Sequence, residues 1–168
     1  ATAINPQPAM VAALGDLYAR VGQSEAAEGQ YRTVEIIGQL TAINQQVYNR
    51  ELALFYANHD ISLADSLDLA SREIAVRPDI YGYDALAWAL FKNGRVEEAS
   101  TAMAEALKLG TQDANLFYHA GKIADAQGAS AEAKHYLEQA LALNPHFSLL
   151  FEEDAAALLG RLQTRSYR

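Results

Sequence analysis

The chain has 168 residues, 51% of them apolar, which is enough for one domain with a continuous buried core and argues against disorder. Its formal charge of −8 repels a phosphate backbone, so nucleic acid is not an expected partner. Cysteine is absent, which excludes disulfides and thiolate metal sites, and no stretch approaches the roughly 18 consecutive apolar residues that span a bilayer, so no direct membrane insertion is expected.

Alanine is abundant while Gly and Pro are sparse, at 10 and 4 copies, and that mixture predicts an all-α fold because Ala loses no side-chain entropy on becoming helical. The start at Ala1-Thr2-Ala3, without methionine, raises the expectation that a tag, a leader or a larger upstream region has been removed.

From the N-terminus, a first unit over residues 8–42 places Val11, Leu14, Gly15 and Tyr18 at the i, i+3, i+4, i+7 offsets of one helical face. Gly22 then marks a turn, and Ala27, Tyr31 and Val34 belong to a second helix. The stretch EIIGQLTAI lengthens that helix and predicts an irregular packing angle at the first junction. The second unit, 43–79, is degenerate: QQVYNRELALFYAN fits the pattern poorly, whereas SLDLASREIAVRPD ends on Pro78 as expected.

The third unit, 80–112, carries Tyr83, Leu86, Ala87, Leu90, Gly94, Ala99, Met103, Ala106 and Leu107. A shift of 34 residues maps these onto Phe117, Ala120, Gly121, Ala124, Gly128, Ala133, Leu137, Ala140 and Leu141 of the fourth unit, 113–146. The first unit's faces stand at a shift of 72 from the third. Residues 147–163 form a capping helix, and the whole chain, 1–168, reads as a single domain.

The turns have a physical reading too. Gly22, Gly94 and Gly128 suit a left-handed backbone, Ser24 and Ser130 are expected N-caps, Pro78 and Pro145 stop the second helices, and Gly110-Thr111 does so in the third unit. Gly15, Ala87 and Gly121 share one place in three first helices, where a larger side chain would cost roughly 1 to 3 kcal/mol by pushing the partner helix away.

This pattern resembles the tetratricopeptide repeat, a helix-turn-helix unit with a large residue, a Leu-Gly-like pair and an aromatic in its first helix. The resemblance implies a right-handed α-α superhelix of about four units plus a capping helix, in which hairpins too small to bury their apolar faces alone stack on one another. It also implies a protein- or peptide-binding scaffold whose first helices line a concave groove. Carried over, the groove positions are Tyr81, Asp84, Trp88 and Lys92 in the third unit and Asn115, Tyr118, Lys122 and Asp125 in the fourth, with Arg50 and Leu54 extending them into the second. Trp88 is the one tryptophan of the chain, and it is either an interface anchor beside two tyrosines or core between neighbouring first helices.

Members of this family that clamp a C-terminal carboxylate use Lys, Arg and Asn on successive first helices, and here the first unit offers Ala12 and Asp16 instead. The mixed charge of the groove points to a ligand with apolar and basic side chains. The wording YGYDALAWALFKNGR and YHAGKIADAQG resembles repeats of exported or membrane-tethered bacterial chains, which implies an exported or periplasmic compartment.

Nothing in the sequence points to an enzyme, and no cofactor is expected. His59, His119, His135 and His146 include no i, i+4 pair for a metal, and His119 reads as a half-buried or surface histidine more readily than as a groove residue. Glu152-Glu153-Asp154 reads as solvated helix-end charge, since adjacent helical residues diverge. The alternative to an adaptor is a self-assembling homo-oligomer, built on Leu149, Leu150, Phe151, Leu158 and Leu159 of the last helix.

Overall fold

The computed structural model describes residues 7–43 and 49–165, so the Gln45–Tyr48 part of the degenerate helix and the first three residues lie outside the described residues. Among the described residues there are nine helices and no strand: α1 (Pro8–Arg20), α2 (Ser24–Ile43), α3 (Asn49–Asn58), α4 (Leu63–Val76), α5 (Ile80–Lys92), α6 (Val96–Leu107), α7 (Ala114–Ala126), α8 (Ser130–Leu143) and α9 (Glu152–Arg165). They form a helical repeat solenoid. Each odd helix pairs with the even helix after it, α1, α3, α5 and α7 lie side by side in a row, and α4 and α6 also pack on the first helix of the following unit.

The turns explain the regularity. Gly22, Gly94 and Gly128 have φ of +78°, +76° and +78°, so the same left-handed residue closes three hairpins, as the spacing predicts. The second hairpin lacks a glycine there and turns through Asp60 and Ser62, at φ of 56° and 43°. Close approach explains Gly15: a Cβ there would lie 2.5 Å from the Tyr31 ring.

The expected serine caps are corrected. The carbonyls of Gln23 and Ala129 already accept the first helical bonds, from the amides of Ala27 and Ala133, so Ser24 and Ser130 are the first residues inside their helices. The caps that do act are aspartates. Asp79 accepts from the Gly82 amide at the start of α5, and Asp113 accepts from the Asn115 and Leu116 amides at the start of α7.

The core is a relay of clusters between neighbouring units. Ala87 and Leu90 of α5, Ala99, Met103 and Ala106 of α6, and Leu116, Ala120 and Ile123 of α7 share one cluster. Leu137 and Ala140 of α8 share the next with Ala155, Leu158 and Leu162 of α9. At the weak junction α2 runs 20 residues, as the extra stretch implies, and a buried charge network stands behind it: Glu73 is fully buried and pairs with Arg50 at 3.2 Å and Arg77 at 2.5 Å.

Two apolar sets behave differently from expectation. Leu14, the register mate of half-buried Leu86 and buried Ala120, is 40% exposed, because no described hairpin precedes α1 to cover it. In the capping segment Leu158 is buried, Phe151, Leu150 and Leu159 are half-buried, and only Leu149 is exposed. The cap therefore turns most of its apolar residues inward, and Glu153, Arg161, Gln163 and Thr164 stand exposed on α9.

Candidate functional site

The first helices form a wall, and the side chain of Arg20, the last residue of α1, reaches the start of α9, pairing with Glu152 at 2.6 Å and lying 3.8 Å from Glu153. The segment between α8 and α9 crosses this wall as a strap. Phe151 stacks on Tyr118 at 4.9 Å between ring centroids and meets the Trp88 ring edge-on at 5.7 Å, while Phe147 lies 5.4 Å from Tyr118.

Beneath the strap is an aromatic floor. Trp88 is 1% exposed, stacks on His119 at 4.1 Å and on Phe91 at 5.1 Å, and donates its indole N–H to Asn58 Oδ1. A buried indole keeps its apolar face packed and its N–H satisfied only with such a partner. His119 is itself buried and holds Asp84 through Nδ1 at 2.8 Å, which makes it a deep floor residue joining α5 to α7 and not a half-exposed one.

Charged groups rim the floor. Lys122 Nζ and the Tyr118 hydroxyl both donate to Asp154 Oδ2, at 2.8 and 2.9 Å. Burial pushes the Tyr118 hydroxyl well above its ordinary value, and the Asp154 charge pushes it the same way. Burial alone would raise the Asp154 carboxyl, but the bonds from Lys122 and Tyr118 outweigh it and hold the group below the usual carboxylate range. Lys92 pairs with Asp60 at 2.6 Å and sits 5.4 Å above the Trp88 ring centroid.

The sequence-derived positions thus separate. Asp84, Trp88 and Tyr118 are buried floor, so Trp88 takes the core alternative. Lys92, Lys122 and Asp125 are half-buried rim, Leu54 packs half-buried against the cluster of Trp88 and Phe117, and Tyr81 and Asn115 are exposed. Arg50 is turned into the network with Glu73 and Asp79, bonding the latter's two oxygens at 2.8 and 2.9 Å.

Sequence reasoning missed Arg20, Asn58, Phe147 and the role of the acidic run. Only Glu153 of that run is solvated; Glu152 is held by Arg20 and by His146 at 3.0 Å, and Asp154 by Lys122 and Tyr118. These partners lie between 6 and 132 positions away along the chain, so no local spacing announces them. A smaller polar cluster stands nearer the N-terminus, where Asp16 accepts from the Tyr31 hydroxyl at 2.9 Å and lies 3.2 Å from His59 Nε2.

Among the described residues no group of three His, Asp or Glu converges as a metal site, and no helix is long and apolar enough to cross a membrane. No curated protein matches the chain closely enough to count as a relative. Residues 80–109 and 114–147 match the family model of the tetratricopeptide repeat, the two stretches that contain the hairpins α5–α6 and α7–α8. Such repeats are as a rule protein-interaction modules and not enzymes. Nine described helices stack as repeating hairpins, and the two hairpins of residues 80–147 are similar to the tetratricopeptide repeat residue by residue.

Proposed function

We propose that the chain is a protein-binding scaffold whose concave wall takes a segment that turns into a helix, with two aromatic anchors followed by carboxylates. The observation that carries this reading is the strap with the first turn of α9, in which Phe147 and Phe151 lie on Tyr118 and Trp88 while Glu152 and Asp154 meet Arg20 and Lys122. The strap is a stand-in for a partner: it displays the chemistry that floor and rim accept. Acidic rather than basic residues in the ligand follow, because Arg20 and Lys122 pair with Glu152 and Asp154 at the start of α9. Tyr81, Asn115, Lys92, Lys122, Asp125 and Leu54 form the margin that a longer segment reaches, over a floor of Asp84, Trp88 and Tyr118. Arg50 contributes by holding the wall and not by contact.

An internal segment competes at high effective concentration, so an external peptide binds well only when the strap is weakened. A synthetic peptide of residues 146–154 is therefore titrated against the parent and against the double variant Phe147→Ser/Phe151→Ser, with Trp88 fluorescence as the readout. Saturable binding to the variant and much weaker binding to the parent are expected. A variant that remains helical yet gives no saturable change removes the groove from consideration.

A further inference from the structure

A trough lies on the side of α7 away from the strap. Helices α6 and α8 both pack on α7 and leave between them an empty recess of about 90 Å³, several times what one water molecule needs. Met103 and Leu107 of α6 and Ile123 of α7 line it with apolar surface, and Ser100, Gln127, Glu132 and Tyr136 stand at its rim. At 3.6 residues per turn, Ala120, Ile123 and Gln127 fall opposite Tyr118, Lys122 and Asp125 on α7, so the trough is separate from the strapped wall.

One unit earlier the corresponding space closes itself. A step of 33 or 34 residues takes Ser100, Ala120 and Ala124 back to Leu67, Leu86 and Leu90, which pack where α4, α5 and α6 meet. The polar groups there are satisfied as well. Asn93, the mate of Gln127, donates its amide to the Leu63 carbonyl, and Glu98, the mate of Glu132, is held by Arg95. In the later trough Ala129 stands where Arg95 stood, and Glu132 meets no cation among the described residues; its polar contact is the Tyr136 hydroxyl at 3.5 Å. Burial pushes that hydroxyl above its ordinary value and the Glu132 charge pushes it the same way, as a carboxylate without a counter-ion does.

Charge selects the occupant. Helices α5 and α7 each balance one acid with one base, Asp84 with Lys92 and Asp125 with Lys122. In contrast, α6 carries Glu97, Glu98 and Glu105 without a base, and α8 sets Glu132 and Glu138 against Lys134. Glu97 stands three and seven residues before Ser100 and Ala104, on their face of α6, and adds a second carboxylate beside the mouth. The occupant therefore combines an apolar stem, to lie on Met103, Leu107 and Ile123, with a cationic end that meets Glu132 and Gln127. Arginine has that form: its methylenes bury along apolar surface, while the planar guanidinium gives a carboxylate two parallel donors and keeps others for an amide oxygen. We infer that the trough between α6 and α8 receives an arginine side chain of a partner protein, with Glu132 accepting from its guanidinium.

The probe is acetyl-arginine-N-methylamide, titrated into the 168-residue chain and followed by the backbone amide NMR signals. Weak but saturable shifts confined to the trough, at Ile123 and Gln127 among others, are expected. The citrulline counterpart, alike in shape but uncharged, is expected to bind about tenfold more weakly, and so is arginine to Glu132→Gln, whose exposed position leaves the fold intact. Ser100→Leu, which restores the leucine of the earlier unit, is expected to abolish binding with helicity unchanged. Glu138→Gln removes an equal charge outside the lining and is expected to leave binding as it was. Equal binding of citrulline overturns the proposal and leaves an apolar slot; equal losses in Glu132→Gln and Glu138→Gln overturn it in favour of a diffuse acidic surface. Shifts that never saturate, or that spread evenly over α2, α4, α6 and α8, overturn it as well.

Discussion

The two halves of this solenoid reach the same architecture by different means. In residues 80–147 each hairpin is short, turns on one left-handed glycine, starts its first helix on an aspartate cap and packs small residues against Leu137 or Met103. In residues 8–79 α2 is longer, the second turn is built from Asp60 and Ser62, and the fully buried Glu73 ties Arg50 and Arg77 together behind α3. The contrast shows that stacking tolerates loss of the pattern when a specific polar network replaces it. Such a network is strong when complete and costly when one member is removed.

The largest effect that would break this comparison is expected from Glu73→Ala, which empties a fully buried site and leaves half-buried Arg50 with Asp79 as its carboxylate, and should destabilise by about 1 to 3 kcal/mol. Because a solenoid is held by nearest-neighbour interfaces, hydrogen exchange should show protection lost first in α1–α4 and retained in α5–α8. Equal loss in both halves would mean that the network is not what distinguishes them.

A smaller effect, one that sharpens the contrast, is expected in acid. Asp79 and Asp154 are both held below their ordinary value of 3.8: for each, burial acts upward and is outweighed by hydrogen bonds, from Arg50 and Gly82 to Asp79, and from Lys122 and Tyr118 to Asp154. A carboxylate lowered in the folded state contributes stability that is present above its unfolded value and lost as the pH falls through the folded one. Melting temperature should therefore fall as the pH drops below about 4, and Asp154→Asn should be less stable at pH 7 and show a flatter profile in that window. An unaltered profile would show that the strap's anchor is not ionised in the folded protein.

The smallest effect is expected at the irregular turn. Ser62 is exposed at φ 43°, a conformation that is strained for any residue with a Cβ, so Ser62→Gly should stabilise by about 0.5 to 1 kcal/mol and raise Tm by roughly 2 °C. No gain would mean that the turn of the second unit is already as relaxed as the glycine turns.

Much of the fold was legible because its causes are local. The positive φ of Gly22, Gly94 and Gly128 follows from a residue type at a fixed step, and the long α2 follows from the extra stretch before the second unit. The aspartate caps were equally local and were overlooked beside the serines, since Asp79 and Asp113 each stand immediately before a first helix. The site was less legible. Register placed Trp88, Tyr118 and Lys122 on the inner wall, yet it carried no information on what lies over them, because Phe147 and Phe151 reach Trp88 and Tyr118 only after the chain has turned back.

The sequence by itself determined helices, their pairing and the step from unit to unit, since propensity, turn chemistry and apolar spacing act within a few tens of residues. Tertiary structure alone decided that the wall is strapped by its own chain, that Arg20 meets Glu152 and that Asp84 and His119 are buried together. Those outcomes depend on the stacking of successive hairpins and on which neighbours are present to cover a face, and neither is written in any single repeat.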